Sequence, residues 1–261
     1  MIPKVKFSVL DYSREVGVFA SFLYSKSVMA NYIYKKYPEV KKYLDFSLDR
    51  SAFIRKVGEF VSKFREDHVK ELETKVDEYQ KEWDIVGAKY LSALSKVLEQ
   101  PWSKDRKLIK GEVSINPVCP RFLDTWSFNV YFSKRTKGVI ETIAHEICHF
   151  LYFEKWKQTF PDCDEKTFNT PYIEWHLSEI LVGVILNDTR IKAILNVDAK
   201  VYEWYHTAKI GKVSVYDYFE RLYKKHIESG KRFSEFLILA YSRAKKYSNE
   251  IKNAEKLFQS K

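Results

Sequence analysis

Residues 137–153, KGVIETIAHEICHFLYF, form an apolar segment with three polar side chains near its centre. The apolar residues recur at the spacing of one helical face, which predicts a largely buried α-helix. The polar residues His145, Glu146 and His149 spell the pattern H-E-x-x-H. Burying such groups is unfavourable unless they are hydrogen-bonded or bound to a metal. The segment therefore predicts a buried helix that carries a metal site.

The spacing of the two histidines suits a single ion. Residues four apart lie about one turn apart on a helix, so both imidazoles can reach the same metal. Glu146 is rotated by about 100° from His145, which lets it hold a water molecule without being a ligand. Two neutral nitrogens for Zn²⁺ and a carboxylate as general base are the arrangement that zinc hydrolases use. We expect His145 and His149 to bind zinc and Glu146 to be the catalytic base.

Catalytic zinc needs a third protein ligand, and residues 171–187, PYIEWHLSEILVGVILN, are the best candidate for supplying it. This segment is apolar nearly all round and predicts a second buried helix. Glu174 and Glu179 lie about 140° apart on it, so only one of them can face the metal. We favour Glu179, because the helix dipole already explains an acid at Glu174 and Gly183 would allow two helices to approach closely. Glu174 and His176 remain alternative ligands.

A motif helix followed by a glutamate-bearing helix resembles the gluzincin group of zinc metallopeptidases, and in particular its compact members, the minigluzincins. The resemblance covers residues 110–190. It implies that the motif histidines and Glu179 bind Zn²⁺, that Glu146 is the general base, and that the substrate is a peptide or protein. Val182 departs from the family pattern, since a small residue is expected there and Gly183 comes one position later.

The remaining pattern predicts a mostly helical α+β fold. We expect a small antiparallel or mixed sheet packed on the motif helix and the glutamate helix, with flanking helical regions. Alternation of apolar and polar residues predicts the strands, and helical periodicity predicts two N-terminal helical segments. The predicted strands are Lys4–Leu10, 110–117 and Trp126–Phe132, and the predicted helical segments are 12–36 and 50–98.

Three consecutive regions follow from this organisation. Residues 1–101 form a mainly helical N-terminal region, and residues 102–190 form the zincin-like catalytic core. Residues 191–261 form a helical C-terminal region that is interrupted at Ser229-Gly230. The boundary near residue 101 rests on Pro101 and the basic residues that follow it.

The amino-acid composition indicates which binding partners and which cellular compartment to expect. The net charge is +10 over 261 residues, but the lysines alternate with aromatic residues as on solvated helix faces, so we do not expect a nucleic-acid partner. We expect no membrane span and no signal peptide, since no long apolar run is found and charges interrupt the N-terminus early. The three cysteines, Cys119, Cys148 and Cys163, lack C-x-x-C spacing and fit a reducing cytoplasm.

The sequence thus favours a cytoplasmic zinc metallopeptidase. Its mechanism would need a further hydrogen-bond donor for the oxyanion, for which Tyr205, His206 and His226 are candidates. The alternative is a non-catalytic or latent zinc-binding module, regulatory or binding in function, whose cleft is closed by the flanking helices. Cys148 lies between the predicted ligands, and we interpret it as a packing residue rather than a nucleophile.

Overall fold

The structure is a computed structural model that describes residues 2–25, 28–134 and 136–255. Ten α-helices lie in these residues, and none of them is long and apolar enough to cross a membrane. The predicted mostly helical α+β class is confirmed. The helices are α1 (Tyr12–Tyr24), α2 (Val28–Lys36), α3 (Arg50–Val97), α4 (Thr136–Thr159), α5 (Ile173–Leu186), α6 (Thr189–Leu195), α7 (Glu203–Thr207), α8 (Val215–Glu228), α9 (Phe233–Lys246) and α10 (Ser248–Lys252).

Six strands form two sheets in the same residues. The strands are β1 (Lys4–Val9), β2 (Leu108–Ser114), β3 (Arg121–Phe122), β4 (Ser127–Tyr131), β5 (Lys209–Ile210) and β6 (Val213–Ser214). The larger sheet has the order β1-β2-β4-β3, in which β1, β2 and β4 are parallel and β3 is antiparallel to β4. The predicted small sheet is therefore mixed. The β5–β6 hairpin was not predicted.

The predicted helices are present, with shifted ends. Residues 12–36 contain two helices rather than one, while α3 matches the predicted segment 50–98 closely. Inside α3, His68 leaves helical geometry at φ −124° and ψ 15°. The motif helix α4 continues to Thr159, six residues beyond its predicted end, and α5 begins at Ile173 instead of residue 171. The predicted break at Ser229-Gly230 is confirmed, because α8 ends at Glu228.

By its contacts the chain groups into two compact units. The first consists of Met1–Ile2, Val86–Asp105 and Ala144–Lys261, and the second of Pro3–Ile85 and Arg106–Ile143. The four-stranded sheet belongs to the second unit, whereas α5 to α10 belong to the first. Each unit takes one part of α3 and one part of α4. The division into three consecutive regions stays a prediction, because grouping by contacts does not test it.

In the second unit, Glu15 of α1 is a buried polar anchor. Its carboxylate accepts hydrogen bonds from Ser114 Oγ at 2.6 Å and from the Ile115 amide at 2.7 Å, and it forms an ion pair with Arg65. Burial raises the pKa of Glu15, although its hydrogen bonds and Arg65 act in the opposite direction. The anchor joins α1 and α3 to the end of β2.

The outer edge of β1 is hydrogen-bonded by a side chain of α3. The Phe7 amide donates to Gln80 Oε1 at 3.2 Å, and Gln80 Nε2 donates to the Val5 carbonyl at 3.3 Å. A carboxamide offers one donor and one acceptor, as a neighbouring strand would. Gln80 therefore takes the place of a strand beside β1.

A glycine in β2 makes room for an aromatic ring on β1. A Cβ added at Gly111 would overlap the Phe7 ring, which packs edge-on against Phe128 with ring centroids 6.2 Å apart. Phe7 on β1 and Phe128 on β4 are the two register partners of Gly111 on β2, so the rings pack beside this position in the core, where little free space is available. The absence of a side chain at Gly111 is thus a packing requirement.

We expect Gly111→Ala to lower the free energy of unfolding by about 1–3 kcal/mol, because overpacking displaces the Phe7 ring. Urea unfolding followed by circular dichroism measures this change. Gly17→Ala is the matched control, since an added Cβ there meets no atom within 4 Å and alanine is favoured in a helix interior by about 0.5–1 kcal/mol. Equal effects of the two substitutions would contradict the packing argument.

Candidate metal centre

The motif lies in the buried middle of α4. Ile143, Ala144, Ile147 and Cys148 are fully buried, which fits the apolar periodicity of the segment. Tyr90 of α3 donates a hydrogen bond from its hydroxyl to the Ala144 carbonyl at 2.6 Å. This bond holds the helix backbone directly before the first motif histidine.

The predicted ligands come together in one cluster. The Nε2 atoms of His145 and His149 are 3.1 Å apart, and the carboxylate oxygens of Glu179 lie 3.3 Å from His145 Nε2 and 3.4 Å from His149 Nε2. Among the residues that the structure describes, this is the one group of three or more His, Cys, Asp or Glu side chains placed to hold a metal ion. The structure therefore brings together the three side chains selected from the sequence.

The separations within this cluster fit a tetrahedral ion. Ligand atoms about 2.0–2.1 Å from such an ion lie about 3.3 Å from one another, close to the three distances observed. Two imidazole nitrogens and one carboxylate are also a donor set that zinc accepts. His145, His149 and Glu179 can thus hold a divalent ion with little rearrangement.

The cluster is buried but reachable on one side. The side chains of His149 and Glu179 are 0% and 4% exposed, whereas that of His145 is 19% exposed. Glu146 is 7% exposed and lies outside the group of converging ligand atoms. A water molecule or a substrate atom would therefore approach from the side of His145.

The two alternative ligands have other partners. Glu174 Oε1 accepts a hydrogen bond from the Tyr241 hydroxyl at 2.5 Å, and His176 Nδ1 is 2.8 Å from the Tyr205 hydroxyl. Neither side chain belongs to the cluster. The helical geometry of α5 thus separates Glu174 from Glu179 as the sequence indicated.

The expectation for Gly183 was wrong in its detail. We expected this glycine to let the glutamate helix approach another helix at the metal site. Instead, a Cβ at Gly183 would overlap Cγ1 of Val201, in the segment before α7, and would lie 3.5 Å from the Tyr216 ring of α8. The absence of a side chain at Gly183 therefore leaves room for Val201 to pack against α5. Val201 lies outside the helix, in the segment before α7.

The three candidates for an oxyanion donor have different surroundings. Tyr205 is fully buried and is paired with His176. His206 packs its ring against Tyr216 with centroids 4.9 Å apart, and His226 Nε2 lies 3.0 Å from the Arg232 carbonyl. The contacts of His206 and His226 thus give them local packing roles.

Cys148 is interpreted as a packing residue, and its surroundings support that interpretation. Its side chain is fully buried, and burial raises the pKa of the thiol well above its ordinary value. A thiol is a poor nucleophile until it is deprotonated. The chemistry available at this site therefore lies with the histidines and the carboxylates.

Comparison of the chain with models of protein families, with curated proteins and with solved structures found no match. The resemblance to gluzincins consequently rests on the motif, on Glu179 and on the geometry of the cluster. We treat the family and the identity of the metal as proposals.

We expect Glu179→Gln to weaken zinc affinity by about tenfold or more, because the amide replaces an anionic ligand. Glu174→Gln is the matched control on the same helix and should leave zinc affinity unchanged, since the Glu174 carboxylate is bonded to Tyr241. Competition with a chromophoric chelator measures both affinities. The ligand assignment would be reversed if only the Glu174 substitution changed them.

Proposed function

We propose that this chain is a zinc-dependent metallopeptidase of the gluzincin type, with peptides or proteins as substrates. The observation that carries the proposal is the convergence of His145, His149 and Glu179, whose ligand atoms lie within 4.8 Å of one another. Two of these residues belong to an H-E-x-x-H pattern on a buried helix, so Glu146 is available as a base next to them. Zinc is favoured over harder divalent ions because imidazoles supply two of the three ligands.

The bound ion would supply Lewis-acid polarisation of a carbonyl and would acidify water. Glu146 would accept a proton from the attacking water and deliver it to the leaving amine. The carboxylate would take up the proton in the first step, and the carboxylic acid so formed would release it to the amine in the second. The exposed side of His145 is where the scissile peptide would enter.

A non-catalytic or latent zinc-binding module is the second candidate function. The observation that favours it is the low exposure of the site, since Glu146 is 7% exposed and the His149 side chain is 0% exposed. In that case zinc would be bound and would stabilise the fold, but no peptide would be cleaved. Metal content and hydrolysis must therefore be measured separately.

We also propose that the protein acts in the cytoplasm. No disulfide joins Cys119, Cys148 or Cys163, all of which are described by the structure, and free thiols suit a reducing compartment. The basic net charge of +10 is spread over helices without a nucleic-acid motif, so the proposal includes no nucleic-acid partner.

We expect the purified protein to contain about one zinc ion per chain, and His149→Ala to lose it, because two remaining ligands hold the ion weakly. Elemental analysis before and after dialysis against a chelator measures the metal content. His206→Ala is the control, since this histidine packs against Tyr216 and should not affect binding. A wild-type chain that neither contains nor takes up zinc would refute the metal site.

Glu146→Gln should retain zinc but lose about 100-fold or more of its activity, because an amide cannot accept the proton of water. Cleavage of a peptide library, read by mass spectrometry, measures activity with and without chelator. The peptidase function is supported if the wild type hydrolyses peptides and if the chelator and the substitution each abolish this hydrolysis. Zinc binding without any cleavage by the wild type supports the latent module, whereas undiminished cleavage by Glu146→Gln would reject the proposed mechanism.

A further inference from the structure

His176 and Tyr205 form a buried polar pair beside the metal ligands. His176 is 3% exposed on α5, in which every residue from Trp175 to Leu186 is buried, and Tyr205 on α7 is 0% exposed. Their one hydrogen bond joins His176 Nδ1 to the Tyr205 hydroxyl at 2.8 Å. Placing two polar side chains in an apolar region is unfavourable unless they are satisfied, so the pair calls for an explanation.

The second ring nitrogen of His176 is available for a ligand. Among the described residues, the bond at Nδ1 is the only hydrogen bond of this side chain, which leaves Nε2 without a protein partner. A neutral imidazole has one donor nitrogen and one acceptor nitrogen, and the partner at Nδ1 decides which is which. When the Tyr205 O–H donates to Nδ1, Nε2 carries the hydrogen.

The Tyr205 hydroxyl is able to donate this hydrogen bond. Burial raises the pKa of Tyr205 well above its ordinary value, and the Glu179 charge acts in the same direction, so the hydroxyl keeps its proton. The protonated hydroxyl can therefore donate its hydrogen to His176 Nδ1, which lies 2.8 Å away.

His176 lies on the same face of α5 as the metal ligand Glu179. The two residues are three positions apart, which places their side chains next to each other on a helix. Burial lowers the pKa of His176 to about 4, Lys252 adds to this effect, and Glu179 opposes it. The ring is consequently neutral at neutral pH and can donate without carrying a charge.

We propose that His176 donates a hydrogen bond from Nε2 to the oxygen of a ligand bound at the metal centre, and that Tyr205 sets the tautomer and orientation of His176. In a peptidase this oxygen belongs to the scissile carbonyl, which gains negative charge as water attacks. The inference rests on the proposed function and assigns the oxyanion donor to α5, instead of to His206 or His226.

Two substitutions at position 176 separate a donor role from a structural role. His176→Gln places an amide N–H near the position of Nε2 and removes the group at Nδ1. His176→Asn keeps a polar group near Nδ1 for Tyr205 and removes the donor at Nε2. If His176 only fills the core with Tyr205, the Asn variant should resemble the wild type and the Gln variant should not.

The probe is acetohydroxamate, added to the full chain loaded with Co²⁺ and followed by the visible absorption of the metal. We expect His176→Asn to weaken hydroxamate binding by about tenfold or more, as for a lost hydrogen bond to a charged group, and His176→Gln to weaken it by less. The order of the two variants should be the same for kcat on any peptide that the wild type cleaves. His206→Asn is the control and should bind like the wild type.

The inference is overturned if the Asn variant binds like the wild type, if the Gln variant is the weaker binder, or if both lose affinity equally. Metal content and thermal unfolding are measured for each variant. If neither variant folds, Tyr205→Phe replaces them, and it must lower hydroxamate affinity with an unchanged metal content for the inference to stand. A wild-type chain that binds neither Zn²⁺ nor Co²⁺ refutes the proposed function itself, whereas a metal-loaded Asn variant with unchanged affinity refutes only the role of His176.

Discussion

A buried carboxylate between two imidazoles is the interaction on which the first unit depends. Glu179 is 3% exposed, and its oxygens face His145 and His149 at 3.3 and 3.4 Å. Neutral imidazoles compensate a buried negative charge only in part, and removing such a charge from water is strongly unfavourable. A divalent cation among these atoms would supply the missing charge. The same three residues would then determine both how α4 and α5 pack and what the site can do.

A metal ion bound at this site would also affect the stability of the fold. A ligand that binds the folded chain and not the unfolded chain adds its binding free energy to stability. A metal ion bound by His145, His149 and Glu179 would therefore stabilise the fold in addition to any reactivity.

The sequence predicted the elements whose pattern is local. The period of the apolar residues located α3 and α4, and alternation located β1 and β4, while β2 was a candidate strand around Val113 and Ile115. Helical geometry showed that Glu174 and Glu179 cannot both face one metal, and the helix dipole, which already explains an acid at Glu174, favoured Glu179. What the sequence could not provide is the identity of distant neighbours.

Two of the missed features are contacts between residues far apart in sequence, and the third is a hairpin with very short strands. Val201 fills the space at Gly183, and Tyr205 meets His176 across 29 positions. The β5–β6 hairpin has strands of two residues each, too short to show alternation, and its one signal was Gly211, which adopts a positive φ of 61°. The contacts of Val201 and Tyr205 depend on how segments pack after the helices form, which no period in the sequence encodes.

The contact of Gln80 with β1 also bears on how the protein behaves at high concentration. An unpaired strand edge can template a strand from another molecule, and natural sheets avoid this by covering or charging their edges. Here the covering group is a neutral carboxamide on a helix of the same unit, bonded to Phe7 and Val5. Growth of the sheet beyond β1 would first require these two bonds to break. The extent of the sheet is thus limited on this side by one helical side chain, which makes Gln80 a safeguard against strand-to-strand aggregation.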